Sequence, residues 1–148
     1  MSPSEVHAGV KRTIAARLAS ICKDRAIPNA RNLEEFIVHG LPYVFVPELG
    51  EVTRGMPTGY AGPLLSSFFP ASGDLPPVWP DANGEVRGQT FSPLYKSVPQ
   101  AAREDDHLYA LLTLVDAIRG GRVREREFAI QETRKRLNRY ANDQKSEP

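Results

Sequence analysis

The stretch from Pro42 to Pro99 limits this chain more than any other, because most of its thirteen prolines and eleven glycines fall there. Proline removes a backbone donor and glycine is costly inside a helix, so no long helix fits that region. The middle has to be built from short strands, turns and loops, with helices on either side. With 148 residues, 41% hydrophobic and 25% charged, the chain has the length of one domain and can bury a core.

Within the middle, Leu41–Val46 (LPYVFV) is aromatic and β-branched between two prolines, which predicts a short, buried edge strand. Glu48 to Pro70 has no period. Arg54 to Pro63 alternates breakers with larger residues, yet lacks the spacing of a phosphate loop or a dinucleotide fingerprint. Met56, Tyr60, Leu64, Leu65, Phe68 and Phe69 argue against disorder. The reading is an ordered loop over the core, ending in a short helix at about Pro63–Phe69, then a surface turn at Ala71–Pro77. Val78–Pro80 and Glu85–Phe91 flank Asn83-Gly84, a hairpin signal. Arg87 would sit on that hairpin as a wing residue able to touch phosphate.

At the N-terminus, Ser2-Pro3-Ser4-Glu5 spells a capping box with proline at the first helical position. Val6, Val10, Ile14, Leu18 and Ile21 follow as one apolar stripe, which predicts a helix from Pro3 to about Lys23. The opposite face carries Ser4, His7, Ala8, Lys11 and Arg12. A polar face that turns basic suits a helix whose first turns enter a DNA groove while Lys and Arg meet phosphate. Asn29 can cap a second helix through Leu33, Phe36 and Ile37, ended by Gly40, with His39 at its C-terminus. Beyond the middle come a short helix at Pro99–Arg103 capped by Ser97 and a longer one capped by Asp105. The longer helix has the stripe Leu108, Leu111, Leu112, Val115 and Ile118. Gly120-Gly121 breaks it, and Arg122 to about Tyr140 forms a charged last helix. The fold class is therefore α+β and mostly helical. Residues 1–39 hold the N-terminal helices, 40–98 the Gly/Pro-rich strands and loops, 99–141 an antiparallel helical hairpin, and 142–148 a fraying tail.

The net charge of +1 hides a segregation. Residues 1–31 carry six basic side chains against two acidic, residues 32–107 four against ten, and residues 119–139 eight against three. Basic ends around an acidic middle suit an anionic partner, or contact between ends and middle. A single cysteine, Cys22, excludes an internal disulfide. No apolar run approaches membrane length and no signal-peptide pattern opens the chain, so a cytoplasmic protein without membrane contact is expected. Three dispersed histidines and one cysteine give no metal-ligand spacing, and no nucleophile elbow or kinase set is present. Acidic pairs such as Glu34-Glu35 and Asp105-Asp106 lie at helix starts, where the helix dipole accounts for them. No enzyme, metal or cofactor is expected.

Met1-Ser2-Pro3-Ser4-Glu5-Val6-His7 with Val10-Lys11-Arg12 resembles the turn and recognition helix of bacterial winged helix-turn-helix regulators of MarR-like type. The segments His39–Phe45, Arg54–Thr58, Val78–Asp81, Pro93–Pro99, Leu114–Ala117 and Gly121–Arg126 resemble one group of these regulators, and together the likeness covers nearly the whole chain. The resemblance implies a transcriptional regulator with Ser2, Ser4, His7, Lys11 and Arg12 toward double-stranded DNA, and the hairpin reading adds Arg87 as a wing residue. It also implies that the first helices of the DNA-binding unit are missing from this chain. The stripe Val6/Val10/Ile14/Leu18 must then find another surface, in its own domain or in a second copy. The alternative is a protein-interaction module, an antitoxin-like or regulatory partner or a self-associating dimer, without DNA binding. A third reading is a small enzyme or ligand-binding domain using the Arg54–Tyr60 loop.

Overall fold

The computed structural model describes residues 1–70 and 73–147. Ala71 and Ser72, the first residues of the expected surface turn, lie outside the described residues, as does Pro148 of the tail.

The capping box forms as expected. Ser2 Oγ accepts from the Glu5 amide at 3.3 Å, and the Ser2 amide donates to Glu5 Oε2 at 2.7 Å. It opens helix α1, Pro3–Ala15, which stops well short of Lys23. Arg17 turns left-handed at φ 62°. Its amide donates to the Ile14 carbonyl, and that of Leu18 donates to the Thr13 carbonyl. This pair of bonds is a Schellman closure, so Leu18 is the apolar residue just past a helix end rather than a further turn. A hairpin follows. Strands β1, Ala19–Cys22, and β2, Arg25–Pro28, pair antiparallel across Lys23–Asp24, whose φ values are 49° and 62°. Two consecutive left-handed residues give the loop a twist that matches its strands.

Asn29 caps α2, Ala30–Glu35, its Oδ1 accepting from the Asn32 amide at 3.1 Å. Gly40 does not end the helical run. The backbone passes through a π turn, Phe36–Gly40, into α3, Leu41–Val44, with Pro42 in its first turn. The expected strand at Leu41–Val46 is thus a helical turn. Leu41 is buried, while Tyr43, Val44, Phe45 and Val46 stand exposed.

The expected loop after Glu48 is instead strand β3, Leu49–Pro57, followed by two single 3-10 turns at Gly59–Ala61 and Leu65–Ser67. The second turn takes the place of the expected short helix. Strands β4, Pro77–Pro80, and β5, Val86–Phe91, both pair antiparallel with β3 and parallel with each other, which closes a three-stranded ring. Asn83-Gly84 does lie in a turn, the Gly84 amide donating to the Asp81 carbonyl at 2.9 Å. The strands it joins are parallel, so it is not a hairpin. A ring this small closes because Gly55 and Gly88 lack a Cβ, which would run into the Trp79 and Pro76 carbonyls.

Three helices complete the chain: α4, Val98–Glu104, α5, Asp106–Gly120, and α6, Val123–Ser146. Asp105 Oδ1 caps α5 by accepting from the His107 and Leu108 amides. Ser97 stands at the N-cap of α4 but makes no side-chain cap bond. The last helix continues past Tyr140, where a frayed tail was expected. Helices α5 and α6 form the expected hairpin, and α5 is the centre of the core. Leu114, Val115 and Ile118 pack with Ile37, Leu41, Leu65 and Ala129. Leu112 and Tyr109 pack on a second cluster of Trp79, Val98 and Ala102.

A buried polar group ties these layers together. Asp116 accepts from Thr58 Oγ1 at 2.6 Å, Trp79 Nε1 at 2.7 Å and Arg119 Nη1 at 2.7 Å. Arg119 also donates to the Phe45 and Ser92 carbonyls at 2.8 and 3.1 Å, and lies over the Phe91 ring. Asp116→Ala strands the Arg119 charge and is expected to cost about 3–5 kcal/mol. Trp79→Phe removes one donor and should cost about 1–2 kcal/mol. Urea denaturation midpoints measure both, and equal losses would show that the ion pair carries no special weight.

Candidate nucleic-acid interface

Helix α1 has no buried residue. It is held at its two ends. At the start, Glu5 Oε1 accepts from Tyr95 Oη at 2.5 Å and lies 3.5 Å from Lys96 Nζ. At the end, Asn32 Nδ2 donates to the Arg17 carbonyl and the Asn29 amide to the Leu18 carbonyl, both at 2.8 Å. The hydrogen bond from Tyr95, the cap bonds from Ser2 and the Lys96 charge pull the Glu5 carboxyl down to about 2. The same Glu5 contact pushes the Tyr95 phenol above its ordinary value.

The expected DNA-facing residues fall into three groups. Ser4, His7 and Lys11 are exposed and follow i, i+3 and i+7 spacing, so they share one face. Arg12, also exposed, sits round from them on the Tyr95 side, close enough to oppose the rise of that phenol. Ser2 is occupied by the cap, its hydroxyl also 3.1 Å from that of Ser4. Arg87 is placed elsewhere. It lies exposed on β5, directly opposite Arg54 of β3, while the main packing partner of α1 is β1. The reason for calling Arg87 a wing residue was the Asn83-Gly84 hairpin, and that hairpin does not form.

The hairpin beside α1 is β1–β2 instead. It presents Lys23 and Arg25, with Arg17 at its base, all exposed. These residues were missed because the signals were silent: Arg17, Lys23 and Asp24 adopt left-handed backbone without the glycine or asparagine that announces it. Together α1 and the hairpin, residues 3–28, carry five basic side chains, Lys11, Arg12, Arg17, Lys23 and Arg25, and two acidic ones, Glu5 and Asp24. One of those acids, Glu5, is already answered by Tyr95 and Lys96.

Among the described residues, no helix is long and apolar enough to cross a membrane, and no group of three His, Cys, Asp or Glu is placed to hold a metal. The Arg54–Tyr60 stretch is the end of β3 and a 3-10 turn rather than a loop. Comparison with known protein families, curated proteins and solved structures finds nothing that matches the chain.

Because the Glu5 carboxyl is lowered by folding, its contribution to holding α1 is complete above about 4.5 and is lost as pH falls toward about 2. Tyr95→Phe should return the Glu5 carboxyl toward 4.5 and speed hydrogen exchange in α1. A carbon-detected NMR titration of Glu5 checks this, and an unshifted titration curve in the variant would refute the anchoring role of Tyr95.

Proposed function

We propose that this protein is a DNA-binding transcriptional regulator of helix-turn-helix type, using α1 and the β1–β2 hairpin. The observation that carries the reading is a solvent-facing helix with a tight basic hairpin directly behind it. The major groove of B-DNA admits an α-helix or a two-stranded ribbon, so either element has the right width. In this reading Ser4, His7 and Lys11 face base edges, while Arg12, Arg17, Lys23 and Arg25 meet phosphates. Phosphate contacts fix orientation and base contacts supply sequence preference. Arg87, opposite Arg54 on the ring, has no part in it.

The test is fluorescence anisotropy with duplex DNA between about 50 and 200 mM salt, because each phosphate contact contributes about 0.9 to the slope of log affinity against log salt. Removing two contacts in Lys23→Ala/Arg25→Ala should flatten that slope by about 2. Lys11→Ala should weaken binding and reduce sequence preference. A chain that binds no duplex at the lowest salt defeats the proposal.

A second reading, a protein-interaction module or self-associating dimer, is favoured by apolar groups left in solvent. Val6 is 47% exposed at the start of the α1 stripe, and Tyr43 is 83% exposed on α3. A partner covering these groups would remove them from water. Light scattering coupled to chromatography reads the mass. A dimer that Val6→Asp or Tyr43→Ser splits would support this reading, and a monomer at all concentrations would count against self-association.

A further inference from the structure

The ring of strands has one irregularity. Between the pairs Leu49↔Phe91 and Val52↔Gln89, β3 sets Gly50 and Glu51 against Thr90 alone. The Thr90 hydroxyl donates to the Glu51 carbonyl at 2.8 Å and fixes this bulge. Bulges bend a strand and re-aim its side chains, often beside a site. Here the bulge forms one wall of a cavity of about 570 Å³, a volume typical of small-molecule sites. The last turn of α5 and the first of α6, joined at Gly120-Gly121, line it from the other side. Leu49 and Leu75 line it while largely exposed, and Tyr60 adds an aromatic ring.

The charges of the lining are unequal. Asp116 is neutralised by Arg119, and Arg122, the single base among the described lining residues, lies 3.5 Å from Asp74. Glu51 and Glu125 remain with no basic side chain of the lining to answer them. Glu125 caps the start of α6 by accepting from the Arg122 amide at 2.8 Å, which offsets that helix end. The C-terminal turn of α5 brings its partly negative end to the same place. Burial, with Glu125 and Asp74 nearby, pushes the Tyr60 phenol above its ordinary value, as a negative field should.

We propose that this cavity binds a small organic cation, an amine or guanidinium on an aromatic or aliphatic body. The charge sits near Glu51 and Glu125, and the body lies between Leu49, Leu75 and Tyr60. The site is separate from α1 and stands whether or not the chain binds DNA. The test uses the full chain and two probes of like body and opposite charge, phenethylamine and phenylacetate, followed by amide NMR. Phenethylamine should give saturable shifts at Gly50, Gly120 and Gly121 that phenylacetate does not. Glu51→Gln should weaken it two- to five-fold, roughly the scale of an exposed charge pair. Leu75→Trp, at an exposed position, should block it without changing the melting temperature. Equal shifts from both probes, shifts confined to other residues, or no saturable shift from phenethylamine up to about 10 mM would each overturn the proposal.

Discussion

The carboxylate of Asp116 is the point on which the fold is assembled. Its three donors come from the turn after β3, from β4 and from α5 itself, and Arg119 extends the network to the carbonyls that follow α3 and β5. Both charged side chains are 2% exposed. Burial pushes the Asp116 carboxyl up, and the donors from Thr58, Arg119 and Trp79 act against that rise. Desolvating two charges is expensive, and an apolar pair of the same volume could match the network in stability. What an apolar pair would lose is the assignment of each segment to its place. The ring meets α5 through Trp79, which packs against Tyr109 and Leu112. Trp79 joins both terms, since its indole ring packs in the core while its N–H reaches the carboxylate.

Three of the helix caps and the α5–α6 corner were legible in the sequence, and contacts assembled from a distance were not. Ser2, Asn29 and Asp105 were readable as caps because a cap needs only its own next three residues. Gly120-Gly121 marked the α5–α6 corner for the same reason. Asp116 stands as a single acid within the apolar stripe of α5. Its partners at Thr58 and Trp79 are 58 and 37 residues away, and no period links them. Glu5 and Tyr95 are 90 residues apart. Strand β3 was hidden by Gly50, Gly55 and Pro57, which read as breakers. In the ring they are needed, Gly55 for the close approach of Trp79 and Pro57 at the strand's end. The opposite error at Leu41–Val46 has the same root. β-propensity measures fit to a half-buried pleated surface, and that run has no such surface to meet.

Of the candidate interface, the α1 half was legible and the hairpin half was not. The polar face of Ser4, His7 and Lys11 follows from helical spacing alone. The hairpin required knowing that Arg17 would turn left-handed, which costs a non-glycine residue roughly 1–2 kcal/mol. The two Schellman bonds and the Asn32 contact to the Arg17 carbonyl offset that cost. The period-four stripe then misled by continuing one residue past the helix, since Leu18 fits both a further turn and the apolar position after a Schellman end.

The two parts of the molecule are joined by a short physical path. Arg119 holds the Ser92 carbonyl at 3.1 Å, and Ser92 Oγ accepts from the Glu48 amide, so the exit of β5 is fixed against the entry of β3. Tyr95 follows three residues later and reaches Glu5, the acid of the α1 capping box. The residue that closes the first turn of α1 is thus also the one that docks it. Glu5 serves three donors at once, the Ser2 amide, the Tyr95 hydroxyl and the Lys96 ammonium. An exposed helix with no buried side chain depends on such end contacts for its orientation, because nothing along its length is packed well enough to set it. The core therefore positions α1 through the segment that Arg119 pins, while leaving the helix face and the hairpin tip in solvent.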